Sequence, residues 1–224
     1  PYYTTEKYIA QFKIIVYNIW WLINKKESVK GASAMAEIVV YTGPMFSRKT
    51  AFLLAEYERS MIAGRKTVAF KPVIDERFGK DTIKSRNAGS IEAFCISNLS
   101  EILSYDAQDY FIDEFQFLEG DIHIIQNLAN EGKNFYIAGL DMTAEGKPFA
   151  IMRDLLCIAT SVDKRKAICV DCKCGSATHS FHIGNKDKDI LIGDKEYVPL
   201  CGHCWAKRMN QRENSNLRRR NGDT

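Results

Sequence analysis

Eight residues carry the first chemical signal. Gly43-Pro44-Met45-Phe46-Ser47-Arg48-Lys49-Thr50 follows the pattern G-x-x-x-x-G-K-[ST], with Arg48 where the second glycine belongs. In that pattern, backbone N–H groups and a helix N-terminus hold phosphate oxygens. The lysine reaches the terminal phosphates and the hydroxyl meets Mg²⁺. Arg48 acts in two directions. If its position needs a positive φ, a side chain there costs ~1–2 kcal/mol, and its Cβ crowds an approaching phosphate. Its cation, on the other hand, can bind a phosphate oxygen.

A second signal is Asp113-Glu114-Phe115-Gln116-Phe117, which ends an apolar run. A phosphate-loop enzyme needs an acid near its metal at such a place. Asp113 is the candidate for holding Mg²⁺ through water, leaving Glu114 to take a proton from a hydroxyl nucleophile. A pair of acids also suits the first turn of a helix on electrostatic grounds alone.

The third signal is sulfur. Cys169-x-x-Cys172 and Cys201-x-x-Cys204 read as a closed, tetrahedral, structural Zn²⁺ site. Cys174 offers a competing chelate with Cys172, and His203 a second-choice ligand beside Cys204. A metal at the base of both pairs makes residues 173–200 a tied loop.

These residues need elements to position them. Residues 38–41 read as a strand and 49–62 as a helix with Phe52, Leu53, Tyr57 and Ile62 on one stripe, stopped by Gly64. Residues 67–70 read as a strand, 75–90 as a polar loop, and 97–103 as a short helix capped by Ser97. Residues 110–113 and 135–138 read as strands around a helix at 122–129. Short apolar strands alternating with helices predict an α/β fold: a mostly parallel sheet of the phosphate-loop type with helices on both faces. A small zinc-bound domain follows it. Ligands of such sheets sit at the carboxyl ends of the strands, where the three signals begin.

Length and composition set the frame. With 224 residues, 46% hydrophobic, the chain can bury a full core. A formal charge of +3 is too small to point to nucleic acid. Five of the seven cysteines cluster between 169 and 204, which suits metal binding in a reducing, cytoplasmic setting. The division expected is an interfacial or non-native extension at 1–34, a phosphate-loop kinase domain at 35–166, a zinc domain at 167–206 and a basic, disordered tail at 207–224. Residues 8–23 are apolar, but Gln11, Lys13 and Asn18 make the stretch too polar for a membrane span. Residues 31–34 imitate a signal-peptide cleavage site, and Met35 suits a start.

Taken together and in order, these motifs resemble the zinc-containing, cellular-type (type II) thymidine kinase family. The resemblance runs from about Glu37 to Trp205. It is carried by GPMFSRKT, FKPVIDERFG at 70–79, DEFQF at 113–117, GLD…GKPF at 139–149, AIC..C at 167–172 and IGDKEYVPLC..C at 192–204. It implies ATP-dependent phosphorylation of the thymidine 5′-hydroxyl, with Glu114 as base and Gly43, Pro44, Met45, Phe46, Ser47, Arg48, Lys49 and Thr50 as the ATP loop. Arg77, Asp113, Phe115 and Gln116 would lie beside the phosphates and Mg²⁺. Met45, Phe117, Leu140, Phe149 and Tyr197, with Ile192 and Gly193 in the tied loop, would hold the nucleoside. Structural Zn²⁺ on Cys169, Cys172, Cys201 and Cys204, and a homotetramer, are implied as well.

Two departures accompany the resemblance: Arg48 in the loop, and Ala144 where the family usually carries a phenylalanine that stacks on the base. The runner-up readings are a kinase for another deoxynucleoside, such as deoxyuridine, and a catalytically weakened nucleotide-binding module. A zinc-ribbon nucleic-acid binder would draw on Lys207, Arg208, Arg212, Arg218, Arg219 and Arg220, which read more simply as a solvated end. No specific nucleic acid and no membrane partner are expected.

Overall fold

The computed structural model describes residues 36–77, 79, 81–85, 89–184 and 196–220. The 1–34 extension, and Ile192 and Gly193, lie outside the described residues.

Six strands form one sheet in the order β5-β2-β6-β7-β1-β8, every neighbouring pair parallel. They are β1 (Ile38–Thr42), β2 (Thr67–Pro72), β5 (Phe94–Ile96), β6 (Asp109–Ile112), β7 (Asn134–Gly139) and β8 (Ser161–Lys164). The side-chain period of two divides the core into two layers. Ile38, Val40, Val68, Phe70, Tyr110, Ile112, Phe135 and Ile137 face one side, against Ile125 of helix α2 (His123–Asn130) and Met152 and Leu155 of α3 (Ala150–Ile158). Their neighbours Tyr41, Ala69, Phe111 and Ala138 face the other side, against Leu53 and Leu54 of α1 (Lys49–Ile62). Each fully buried Leu, Ile or Phe of this kind contributes about 1.5–3 kcal/mol.

Helix α1 has the expected bounds, but Ile62, expected on its apolar stripe, is 80% exposed at the helix end. Residues 75–90, expected as a loop, instead contain strand β3 (Thr82–Ser85), which pairs antiparallel with β4 (Gly89–Glu92). The anchor is one side chain: Ile83, 2% exposed, packs with the α1 layer and sits opposite Ile91. The turn at 99–104 is a 3-10 helix capped by Asn98 rather than Ser97. Asn98 accepts from the Ser100 N–H, and Glu101 accepts from the Asn98 N–H, closing a capping box.

After β8 the chain enters a cysteine-rich module with its own small core of Ala167, Cys169, Ala177, Phe181, Leu200 and Cys204. Its two-stranded sheet pairs β9 (His179–His182) with β10 (Tyr197–Leu200), and helix α4 (Gly202–Arg220) follows. The basic segment read as a disordered tail is helical through Arg220. Two of its cations are used locally: Arg208 pairs with Asp171, and Arg212 donates to the His182 carbonyl and lies over the Phe181 ring. Among the described residues, no helix is long and apolar enough to cross a membrane.

Candidate active site and metal centre

The phosphate loop joins β1 to α1 at the carboxyl edge of the sheet. Gly43 has φ +127°, and a Cβ there would stand 2.2 Å from the Arg165 carbonyl oxygen, so only glycine fits. Phe46 and Arg48 both adopt left-handed backbone, with φ 65° and 67°. The condition set for strain at Arg48 is therefore met, and its side chain is exposed at the N-cap of α1. Ser47 is buried and its hydroxyl has no partner, which leaves a polar atom in the loop unmatched. An anion in the loop would supply an acceptor. The Lys49 ammonium folds back onto the Pro44 carbonyl at 2.8 Å. Burial lowers its pKa, opposed by the charges of Glu114, Asp113 and Asp141.

Strand β6 delivers the acids. The Thr50 hydroxyl donates to Asp113 Oδ2 at 3.0 Å, so loop and acid are in contact. Burial, then the charge of Glu114, pushes the Asp113 carboxyl up to about 7, against the Thr50 hydrogen bond and the charge of Arg77. A hydroxyl and a buried carboxylate are the hard oxygen donors that Mg²⁺ prefers, and both would be able to hold it here. Glu114 has left-handed backbone (φ 50°). One of its carboxylate oxygens meets the Arg77 guanidinium, and the other accepts from Gln116 Nε2 at 2.7 Å. Arg77 also grips Asp75 through Nε at 2.7 Å. The structure thus places Arg77 against two carboxylates.

The remaining expected site residues divide into groups. Gln116 is buried and accepts from the Leu140 N–H at 2.8 Å, linking the acid turn to the end of β7. Phe117 and Phe149 meet edge to face at 6.3 Å. Phe117, Leu140 and Phe149 are each half-buried. The Met45 backbone N–H donates to Ser180 Oγ on β9 at 2.9 Å. Tyr197 packs edge-on against His182 at 5.0 Å. Phe115 is fully buried in the core, so its side chain does not reach the site.

The cysteines gather as their spacing demands, with one difference. The Sγ atoms of Cys169, Cys172, Cys174 and Cys201 all lie within 4.8 Å of one another. Cys172 stands 3.4 Å from Cys174 and 3.7 Å from Cys201. Four thiolates bound tetrahedrally at about 2.3 Å from one Zn²⁺ stand roughly 3.8 Å apart, so the donor set fits. Cys204, an expected ligand, lies outside that tight set and is buried, its thiol interacting with Cys201, Cys172 and Cys169. All seven cysteines are free thiols. Burial alone would raise the Cys169 thiol, but backbone N–H groups of Cys172, Cys201 and Asp171 bring it down to about 6, favouring the thiolate a metal needs.

Three residues escaped sequence reasoning. Asp141, two residues beyond the end of β7, is buried and pairs with Lys164 at 2.9 Å. Its position, an acid closing an apolar strand as Asp113 does, was a usable signal. Ser180 and Trp205 gave none, because their partners are far away in the chain.

The family profile described as thymidine kinase matches residues 36–205. The chain is 37% identical over 187 residues to a thymidine kinase of Bacteroides thetaiotaomicron, covering 81% of this chain and 93% of the relative. It is 33% identical over 176 residues to a thymidine kinase of Pseudothermotoga lettingae, covering 76% of this chain and 95% of the relative.

Proposed function

Because the chain belongs to the thymidine kinase family, we propose that it transfers the γ-phosphoryl group of ATP to the 5′-hydroxyl of thymidine, forming dTMP. One observation carries the reading: the Thr50 hydroxyl touches the Asp113 carboxylate, so phosphate loop and acidic strand end form one site. Phosphoryl transfer asks the protein for positioning and charge neutralisation more than for covalent chemistry.

The geometry supports the following roles. Loop N–H groups, the Ser47 hydroxyl and Lys49 receive the phosphates. Lys49 leaves the Pro44 carbonyl to do so. Thr50 and Asp113 would hold the Mg²⁺ that accompanies ATP, and it would supply charge neutralisation there. Glu114, oriented by Arg77 and Gln116, takes the proton of the 5′-hydroxyl. Met45, Phe117, Leu140, Phe149 and Tyr197 form the nucleoside wall, where aromatic and sulfur surfaces suit a flat pyrimidine.

Zn²⁺ held by the cysteine cluster would be structural, since thiolates fill every coordination position. Seven free thiols support a cytoplasmic setting, and the family resemblance supports a homotetramer, which sedimentation would test. The weakened-module reading is not favoured, because Gly43, Lys49, Thr50, Asp113 and Glu114 are all in place. Thymidine-dependent release of ADP from ATP tests the proposal; ADP release indifferent to thymidine would reject it.

A further inference from the structure

One side chain of the cysteine module reaches across to the 140–149 segment of the main domain. Trp205 follows Cys204 on α4, and its backbone N–H donates to the Cys201 carbonyl at 2.9 Å. Its indole Nε1 crosses to the main domain and donates to the Ala144 carbonyl at 3.0 Å. The ring stacks on His179 of β9, with centroids 4.7 Å apart.

Ala144 lies in a tight turn. Gly146 N–H donates to the Thr143 carbonyl, and Thr143 N–H donates to the Lys147 carbonyl. Gly146 has φ +75°, the left-handed residue that closes such a hairpin. A Cβ on Gly146 would stand 3.1 Å from Trp205 Cη2, so the indole covers the turn closely. At its other end the same segment begins at Leu140, whose N–H donates to Gln116, and Gln116 donates to Glu114. Hydrogen bonds and a short stretch of backbone therefore lead from the cysteines through Trp205 to the 140–149 segment and on to Glu114.

We infer that Trp205 is a positioning residue that couples the metal-bound cysteine cluster to the 140–149 segment and hence to the nucleoside side of the site. A donor fixed in a packed module holds the Ala144 carbonyl in one place, and an ordered metal cluster keeps α4 and its donor in register. Loss of the metal then loosens a segment that holds none of the ligand cysteines. The assignment of that segment to the nucleoside rests on the proposed function.

The test uses the full chain and Trp205→Phe, which keeps an aromatic ring and removes the N–H. The variant is expected to retain the parent's zinc content. Amide exchange in peptides covering 140–149 should be roughly 2- to 12-fold faster, the equivalent of one hydrogen bond. The KM for thymidine should rise while that for ATP holds. Chelating the metal from the parent should accelerate the same peptides, and chelation of the variant should add little there. If the variant does not fold, Gly146→Ala, which drives a methyl into the indole, should give the same pattern. Unchanged exchange at 140–149, or an equal further effect of chelation in parent and variant, would overturn the coupling. So would loss of zinc from Trp205→Phe, which would make the residue a support of the cluster. The exchange readout needs no substrate, so a parent that failed to phosphorylate thymidine would reject the function and leave this inference standing on its own result.

Discussion

The Arg77 guanidinium closes on the Glu114 carboxylate and, through its Nε, on Asp75. The guanidinium fixes the direction of the Glu114 carboxylate, while Gln116 holds the second oxygen. A general base needs a defined approach to the proton it takes. Glu114→Gln should lower kcat by ~10²–10⁴-fold with the KM for ATP little changed. Steady-state kinetics decide it, and near-normal turnover would remove Glu114 from the mechanism.

Arg48 holds the left-handed conformation at φ 67° that its loop position imposes. Arg48→Gly should relieve ~1–2 kcal/mol of backbone strain and open room for the phosphate. The expected result is a rise in kcat/KM for ATP of roughly five- to thirty-fold. A clear fall would show instead that the exposed guanidinium has been recruited as a phosphate contact.

Five thiols compete for four positions in the cysteine cluster. The tight set includes Cys174, whereas the paired spacing points to Cys204. One zinc per chain is expected by elemental analysis. Of Cys174→Ser and Cys204→Ser, only one should lose it, and zinc-free protein prepared under reducing conditions would refute the metal assignment.

At the opposite edge of the sheet, Asp109 accepts from Ser60, from two nitrogens of Arg65 and from Asn134. Burial alone would raise its pKa, but these donors together hold it below the usual carboxylate range. The stability it contributes is complete above the unfolded pKa of about 3.9 and is lost as pH falls through the lower folded value. Asp109→Asn should cost about 1.5–3 kcal/mol at neutral pH, the worth of hydrogen bonds to a charged group. The gap between variant and parent in denaturant titrations should narrow below pH ~4. A gap that stayed constant into acid would show that the charge contributes nothing.

What could be read from the sequence was what depends on near neighbours. The apolar stripe of α1, its stop at Gly64, the strand ending in Asp113 and the spaced cysteines are all local patterns. The β3–β4 hairpin was missed because one well-buried isoleucine, Ile83, secures a strand whose other residues are polar. The contact between Thr50 and Asp113 was foreseeable only through the chemistry that needs both. Ser180 and Trp205 were not foreseeable, since Met45 lies 135 residues from its serine and Ala144 61 from its tryptophan. Such contacts are made by the packing of the cysteine module against the sheet, which no window of sequence displays. Phe115 is the converse: it stands inside a catalytic motif, yet the 3-10 turn that starts at it after the left-handed Glu114 packs its ring into the core.

Thymidine phosphorylation is assigned to the phosphate loop, the acid pair and the proposed nucleoside wall acting together. The most direct measurement is to incubate the purified full chain with ATP, Mg²⁺ and each deoxynucleoside in turn, and to identify the monophosphate formed by mass spectrometry. Thymidine should give dTMP at the highest kcat/KM of the panel, and the product should vanish in Glu114→Gln. No monophosphate from any nucleoside, or a clear preference for one other than thymidine, would contradict the account.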